Sequence, residues 1–380
     1  MAMFGSYFGL CPLIDHRSLL GISEVSENGK ILVTLGKNMS MQYNLADQKQ
    51  TLSWTTKEKF TSPVLFDFET NKYVAVFNQM YMRCWDSKDS SLDKVKKLKF
   101  KKNIFTVIMS KRNGFVIFQN GFTIKLNEAL LNHKTLEPEG ILNENEYIVD
   151  VLSCTLNANV YIGLVVGNSD SSETSRLLWA VFDSREDGDT YSQLSLKRDG
   201  CELAGIAFHL SNEQVEILTF WSDGKLFVKP LEDKTDNLGE IYSVIESISG
   251  NHPVSIVSLD KDYIAMYGDN SNQEGALLII YNMQFKVTQC RQPFKLLTIG
   301  AKLWSIQENL ILPVGQNLAV VPFYLEKEQL SALVGSHRMN PNNTKDVLIV
   351  HNLKEVTWSK LNDVTDSTIN NDVKRLLKTI

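Results

Sequence analysis

A dense run of lysines is the first part of the sequence whose residue types could do chemistry. Between Lys94 and Arg112 there are eight basic residues and no acidic one. Such a cluster can neutralise phosphate groups and bind nucleic acid in a salt-dependent way. The candidate RNA or partner contacts are the six lysines that begin the run: Lys94, Lys96, Lys97, Lys99, Lys101 and Lys102.

The same run has a second interpretation. Leu98 and Phe100 alternate with the lysines, as in an outer strand with one buried face. Lysines on such a strand prevent edge-to-edge pairing with other chains. The sequence favours this edge interpretation and leaves RNA contact as the alternative. The acidic stretch 137–150, with five carboxylates and no basic residue, is interpreted as a solvated loop and strand.

No motif for catalysis or metal binding stands out elsewhere. The turn DSREDGD at 183–189 resembles a calcium loop, but Arg185 and Leu194 occupy positions that require oxygen ligands. The six histidines are isolated, and neither a P-loop nor a GxSxG motif occurs. We therefore predict no enzyme activity, no cofactor, no metal and no small-molecule substrate. A triad assembled from distant residues stays open, because triads are recognised by geometry.

Composition sets the broad class of protein. A chain of 380 residues with 43% apolar residues can bury a sizeable core, as two domains or one ring of repeats. The net charge of −5 argues against nucleic-acid binding by the whole surface and leaves room for a local basic patch. Five dispersed cysteines indicate reduced, buried thiols. We expect neither a signal peptide nor a membrane span.

An internal repeat positions these residues. Its unit is a turn followed by an alternating strand that ends in an aromatic residue or Leu, usually before Asp or Asn. Tyr43, Trp85 and Leu126 end successive copies about 40 residues apart, the length of a four-stranded propeller blade. The copies are LGKNMSMQYN, NQMYMRCWD, QNGFTIKLN, SRLLWAVFD, SDGKLFVKPL, EGALLIIYN and GQNLAVVPF.

Seven copies predict an all-β fold, a seven-bladed β-propeller of the WD-repeat kind. A tight turn is expected at Asn78-Gln79, before the strand that ends at Trp85. We expect residues 3–10 to add the outer strand of the last blade, which closes the ring without an open seam. The predicted propeller spans residues 1–335.

The C-terminal part has a different character. Residues 326–334 (EKEQLSALV) read as a short helix, 347–353 as one more strand, and 371–380 as weakly helical. We interpret residues 336–380 as a C-terminal extension, the start of a missing helical region.

Trp85-Asp86 is the nearest match to the WD dipeptide. We interpret the ring as an anchor for its strand and the carboxylate as a cap for the next loop. Receptors of cullin ligases carry Arg two positions after the Asp, whereas this chain has Lys88. A WD-repeat adaptor of another complex, such as a ubiquitin ligase, is therefore the weaker alternative. A propeller hydrolase with a site in the central channel is the enzyme alternative.

Several runs, taken together and in order, resemble the N-terminal half of the nucleolar protein 11 family. The resemblance covers roughly residues 15–335 and is faint between Leu126 and Glu240. It rests on these runs: LADQKQTLSW, FDFETNKYVAVF, MRCWDSKDSSLDKVKK, SIVSLDKDYIAMYG, LIIYNMQFKVTQC, KLWSIQENLILPVGQNLAVVPFYL and SALVG.

The resemblance implies a non-enzymatic scaffold subunit in the nucleus and nucleolus. Such proteins belong to the transcription-coupled (t-UTP) subcomplex of the small-subunit processome, which acts in ribosomal RNA transcription and 18S precursor processing. The implied partners are processome subunits, including cirhin and other t-UTP propeller proteins, and pre-ribosomal RNA, with no membrane. The family resemblance transfers no catalytic residue.

Overall fold

The computed structural model describes residues 2–27, 29–36, 38–89, 91–170, 174–182, 191–211 and 213–325. The chain divides into two units, Phe4–Phe323 and a second made of Met1–Met3 with Tyr324–Ile380. Only residues 2, 3, 324 and 325 of the second unit are described, so the fold is that of Phe4–Phe323. The predicted helix at 326–334, strand at 347–353, helical tail at 371–380 and acidic turn at 183–189 lie outside the described residues.

Tight turns with a left-handed backbone join many of the strands. Asn78 and Gln79 have φ angles of 48° and 63°, and Gln307 and Glu308 have φ angles of 48° and 60°. Two such residues in succession match the twist of antiparallel strands. Gln307 and Glu308 form a two-residue hairpin between Ile306 and Asn309, whereas Asn78 and Gln79 are joined by Met80 in a three-residue loop between Phe77 and Tyr81. The turn predicted at Asn78-Gln79 is confirmed.

Within the described residues the strands form seven antiparallel sheets, each of which is one blade. The first strands of the chain are β1 (Ala2–Phe4) and β2 (Phe8–Pro12). The blades then follow in chain order. Blades 1 to 3 consist of these strands: blade 1, β3 (Leu19–Glu24), β4 (Lys30–Leu35), β5 (Met39–Asn44) and β6 (Lys49–Thr55); blade 2, β7 (Leu65–Asp67), β8 (Lys72–Phe77), β9 (Tyr81–Trp85) and β10 (Leu98–Lys99); blade 3, β11 (Ile104–Ser110), β12 (Asn113–Phe118) and β13 (Thr123–Lys125).

Blades 4 to 7 consist of these strands: blade 4, β14 (Glu146–Leu156), β15 (Asn159–Asn168), β16 (Thr174–Phe182) and β17 (Ser192–Ser195); blade 5, β18 (Leu203–Ser211), β19 (Gln214–Trp221), β20 (Lys225–Pro230) and β21 (Glu240–Val244); blade 6, β22 (Ile248–Ser249), β23 (Ser255–Asp260), β24 (Tyr263–Asn270), β25 (Ala276–Asn282) and β26 (Val287–Phe294); blade 7, β27 (Trp304–Ile306), β28 (Asn309–Val314) and β29 (Asn317–Leu325). Short 3₁₀ helices lie at His16–Ser18 and Leu92–Lys94, and one α-helix, α1, at Leu126–Asn132.

The seven repeat copies predicted from sequence each occupy a different blade. In every blade the copy supplies the strand between the second strand and the outer edge, from β5 in blade 1 to β29 in blade 7. The innermost strands contact one another in succession, and β27 of blade 7 contacts β3 of blade 1. The all-β, seven-bladed propeller is therefore confirmed as a closed ring.

The N-terminal segment closes the ring. Strand β2 pairs antiparallel with β29, with Phe8 opposite Val320 and Pro12 opposite Asn317. The N–H of Leu13 continues the pairing by donating to the carbonyl of Gln316 at 2.8 Å. The predicted closure by residues 3–10 is confirmed: β1 also borders β29 in this sheet, and the N–H of Gly5 donates to the carbonyl of Pro322 at 2.7 Å. The paired segment is divided into two short strands rather than one continuous strand.

Apolar side chains pack mainly between neighbouring blades. Between blades 1 and 2, the ring centroid of Trp54 lies 4.6 Å from that of Tyr73 and 5.9 Å from that of Trp85. Trp85 is 1% exposed, which agrees with its interpretation as a structural anchor. The carboxylate that caps the next loop belongs to Asp89, which accepts from the N–H of Asp86 at 2.9 Å.

Blade 3 differs from the pattern that the sequence predicts. The repeat copy was expected to remain a strand to Leu126, but the strand ends at Lys125 and Leu126 begins α1. Leu126 and Ala129 are buried in the core between blades 2 and 3. A helix of only two turns gives a weak periodic signal, which explains why the sequence did not indicate it.

The five cysteines differ in burial. No disulfide joins the five cysteines, all of which lie in the described ranges. Cys11 is buried and the other four are half-buried, so burial is less complete than expected. Burial raises the pKa of the Cys154 thiol to about 12, which leaves that thiol protonated and unreactive.

The closure strand should carry measurable stability. Leu10 is 8% exposed in the core between blades 7 and 1, whereas nearby Ile14 is 91% exposed. We expect Leu10→Asp to lower the free energy of unfolding by about 3–5 kcal/mol, because it buries an unpaired charge. Ile14→Asp should change it by less than about 0.5 kcal/mol. Urea denaturation measures both, and equal effects would contradict the role given to this strand.

A buried histidine links the innermost strands of blades 5 and 6. His209 on β18 is 1% exposed; its Nδ1 lies 2.9 Å from Ser258 Oγ and its Nε2 lies 3.1 Å from the carbonyl oxygen of Lys261. Nε2–H donates to that carbonyl, so Nδ1 accepts from the serine hydroxyl in the neutral ring. Burial lowers the pKa of His209, against the opposing pull of Asp262 and Asp260.

This lowered pKa predicts loss of stability in mild acid. The unfolded chain binds the proton first, so stability is fully present above pH about 6.5 and is lost as the pH falls below it. The slope contributed by His209 should reach at most about 1.4 kcal/mol per pH unit. Urea denaturation from pH 7.5 to 5.0 should give a flatter profile for His209→Gln than for the natural chain. Parallel profiles would contradict the assignment.

Candidate interaction surface

The six candidate lysines lie along the outer edge of blade 2. Lys94 ends the 3₁₀ helix Leu92–Lys94, Lys99 lies on β10, and Lys101 and Lys102 follow in the loop to β11. Strand β10 is only two residues long and pairs on one side with β9. All six side chains are exposed, whereas Phe100 between them is 1% exposed. The alternation that the sequence showed therefore has a buried side and a solvent side.

The structure does not bring the end of the basic run to the same place. Lys111 and Arg112 form the turn between β11 and β12, and Lys102 precedes β11 at its other end. A strand of this length spans about 20 Å. Arg112 instead lines a cavity of about 400 Å³ with Lys125, Glu69 and Phe115.

Acidic residues from elsewhere in the chain reach two of the lysines. Lys97 Nζ lies 2.5 Å from Glu58 Oε1, and Lys101 Nζ lies 2.5 Å from Glu137 Oε1. The hydrogen bond from Lys101 holds the pKa of Glu137 below its usual range. The run that has no acid in the sequence therefore has two carboxylates beside it in the fold. One of them comes from the acidic stretch 137–150.

A buried arginine organises the inner side of this edge. Arg83 on β9 is 1% exposed, and its guanidinium carbon lies 4.9 Å from the ring centroid of Phe77. Its Nη1 donates to the carbonyl of Leu92 at 2.6 Å, and its Nη2 donates to Glu58 Oε2 at 2.5 Å. Glu58 thus binds Arg83 with one oxygen and Lys97 with the other.

Asp93 completes the same network. Its Oδ1 lies 3.8 Å from Arg83 Nη1 and accepts from the N–H of Lys57 at 3.1 Å and from Thr56 Oγ1 at 3.0 Å. The N–H of Lys57 is the main reason that the pKa of Asp93 lies below its usual range. Glu58 and Asp93 therefore direct their charge toward Arg83 and fix the loop at residues 56–60 against the 3₁₀ helix.

No motif in the sequence predicts this network. The loop with Thr56, Lys57 and Glu58 precedes the lysine run by about the length of one blade in sequence. A single Arg inside a strand matches no known motif. A buried arginine needs acidic partners, so the position of Arg83 on an apolar strand was the one usable signal.

The inner ring carries another ion pair. Asp150 on β14 of blade 4 binds Nζ of Lys302, which lies just before β27 of blade 7. These blades are not neighbours in the ring, so the pair spans the central channel. Within the described ranges, no group of three His, Cys, Asp or Glu side chains is placed to hold a metal ion. No described helix is long and apolar enough to cross a membrane.

The fold and this surface define a class: a seven-bladed β-propeller with a lysine-rich outer edge. Residues 1–324 match the family model described as the nucleolar protein 11 N-terminal domain. The chain belongs to that family, which confirms the resemblance indicated by its sequence runs.

Curated relatives are distant in sequence. Nucleolar protein 11 of Mus musculus is 25% identical over 340 residues, which cover 83% of this chain and 44% of the relative. Nucleolar protein 11 of Bos taurus is 24% identical over 347 residues, which cover 85% and 46%. The chain spans about half the length of the curated relatives it matches.

A solved structure shares the fold. The crystal structure of BamB from Moraxella catarrhalis has a TM-score of 0.51 and 13% identity, and the match covers 84% of this chain and 99% of that one. At this identity the likeness concerns the fold alone.

The Arg83 network yields an asymmetric prediction. Glu58→Ala should lower the free energy of unfolding by about 3 kcal/mol, because it leaves the buried guanidinium without its main partner. Arg83→Met keeps similar volume and leaves Glu58 paired with Lys97, so it should cost less than about 1.5 kcal/mol. Urea denaturation compares the two variants, and a larger loss for Arg83→Met would contradict the proposed organisation.

Proposed function

We propose that this chain is a non-enzymatic scaffold in the nucleolus, a subunit of the small-subunit processome that acts in ribosomal RNA transcription and 18S precursor processing. Membership of the nucleolar protein 11 family over residues 1–324 is the observation that carries the proposal. The partners are other processome subunits, including cirhin and other t-UTP propeller proteins. The blades within Phe4–Phe323 act as the propeller platform of this scaffold.

A rigid ring suits this work. The blades hold one another through buried apolar layers, so loops and outer strands can vary without disturbing the core. Such a ring can present several surfaces to different partners at once. The lysine edge of Lys94, Lys96, Lys97, Lys99, Lys101 and Lys102 is the proposed contact with pre-ribosomal RNA.

Exposed apolar side chains supply candidate contacts for protein partners. The loop between β26 and β27 carries Leu296 and Ile299, which are 62% and 54% exposed. Large apolar side chains that are exposed close together can form a patch that a protein partner covers. This loop connects blades 6 and 7 and is far along the chain from the lysine edge in blade 2.

Affinity capture from nucleolar extract tests the proposal. The full chain, tagged at one end, should recover cirhin and further processome subunits. Recovery of a cullin ligase without processome subunits would overturn the proposal and favour the adaptor alternative.

The apolar loop can be tested in the same assay. Leu296→Glu combined with Ile299→Glu should reduce recovery of processome subunits, because each buried anchor contributes about 2 kcal/mol or more. Lys234→Glu has the same change in net charge on an exposed side chain and serves as the control. Equal recovery by both variants would exclude this loop from the interface.

A further inference from the structure

A second basic loop lies beside the lysine edge, and the sequence did not connect the two. Lys57 and Lys59 are exposed in the loop between β6 and β7. The N–H of Lys57 binds Asp93, the residue before Lys94, at 3.1 Å. The carbonyl of Lys59 accepts from the N–H of Asn78 at 3.0 Å. This loop is therefore fixed between the 3₁₀ helix and the turn Asn78-Gln79.

The loop that carries Lys101 and Lys102 is fixed to the same turn from its other side. The N–H of Phe100 donates to the carbonyl of Met80 at 2.9 Å, and the N–H of Ile104 donates to the carbonyl of Gln79 at 2.7 Å. One end of blade 2 thus gathers lysines from three segments. We call this set the lysine surface: Lys57, Lys59, Lys94, Lys96, Lys97, Lys99, Lys101 and Lys102, all of them exposed.

The acidic residues nearby do not cancel this charge. Glu58 and Asp93 face the buried Arg83, which takes up part of their charge on the inner side. Glu137 is different, because its side chain is 76% exposed and its described ionic partner is Lys101. An exposed pair of this kind contributes little to stability and can be replaced by a competing anion.

The exposure of apolar side chains distinguishes between RNA and protein as the partner that the lysine surface binds. Among the described residues from 56 to 104, which carry the lysine surface, no large hydrophobic side chain is strongly exposed. Beside them, Leu131 at the end of α1 is 81% exposed, and the ring of His133 two residues later lies 6.2 Å from that of Phe100. A single exposed apolar side chain is common on protein surfaces and does not form an apolar patch. Protein interfaces bury aromatic and apolar anchors at their centre and contain few lysines. Nucleic-acid backbones are held by lysine charges without such anchors.

We propose that the lysine surface binds the phosphate backbone of RNA without reading its sequence, and that Glu137 competes with phosphate for Lys101. The inference rests on the proposed function in naming RNA as the polyanion. Lysine provides a mobile point charge rather than a planar fork, which suits contact with phosphates whose spacing varies. The loop at residues 56–60 is part of this surface, so binding depends on it as well as on the lysine run.

Fluorescence anisotropy with a short labelled oligouridylate tests the proposal on the full chain. Lys57→Glu combined with Lys59→Glu should weaken binding about tenfold or more near 0.1 M KCl and reduce the salt dependence by about one phosphate contact or more. The control, Lys234→Glu with Lys295→Glu, changes the net charge equally on exposed residues of blades 5 and 6. It should stay within about twofold of the natural chain.

Removing the carboxylate that competes for Lys101 gives a second measurement. Glu137→Gln should strengthen binding about twofold, because Lys101 then loses its carboxylate partner. Thermal melts of the variants should match that of the natural chain, which shows that all are folded. Equal weakening by the test and control pairs, or no gain with Glu137→Gln, would overturn the proposal.

Affinity capture keeps this inference separate from the proposed function. If Lys57→Glu with Lys59→Glu leaves RNA binding intact but lowers recovery of processome subunits, the lysine surface docks protein and the inference falls while the scaffold proposal stands. If the natural chain recovers no processome subunit yet binds RNA through these lysines, the scaffold proposal falls alone.

Discussion

The burial of apolar faces between neighbouring blades is the constraint on which this structure depends. No blade can cover both faces of its own sheet, so each needs a neighbour on either side, and only a closed ring satisfies all seven. The contact of β27 with β3 and the pairing of β2 with β29 meet that requirement. The N-terminal strand is therefore part of the last blade, and the two ends of the ring are stable only together.

A second constraint is local and electrostatic. Arg83 is buried on a strand that faces the core, and a buried guanidinium is tolerated only with anionic and carbonyl partners around it. Glu58, Asp93 and the carbonyl of Leu92 supply them, and in doing so they fix the loop that leads from blade 1 to blade 2 against the 3₁₀ helix within blade 2. The lysines on these two segments are consequently held in one area while their charged ends stay in solvent. The burial of Arg83 therefore also determines where the surface lysines on these two segments lie.

The repeat could be recognised in the sequence because each copy alternates apolar and polar residues and ends at a turn. Tight turns such as Asn78-Gln79 follow from local conformational preference, and the third strand of every blade followed from periodicity. The short helix α1 was not predicted from periodicity, since the pattern of two helical turns is too short to be distinguished from that of a strand. The segment that closes the ring was predicted from the sequence. Its register could not be, because pairing with β29 depends on a surface formed far away in the sequence.

By itself, the sequence determined the seven-bladed fold, the buried role of Trp85 and the lysine run, since all three follow from spacing and residue type over short distances. Only the tertiary structure decided which charges stand together. It brought Glu58 and Glu137 to lysines of a run that contains no acidic residue. It also added Lys57 and Lys59 to the same area and placed Lys111 and Arg112 away from it. The physical reason is that charge interactions act through space, whereas the repeat pattern records only order along the chain.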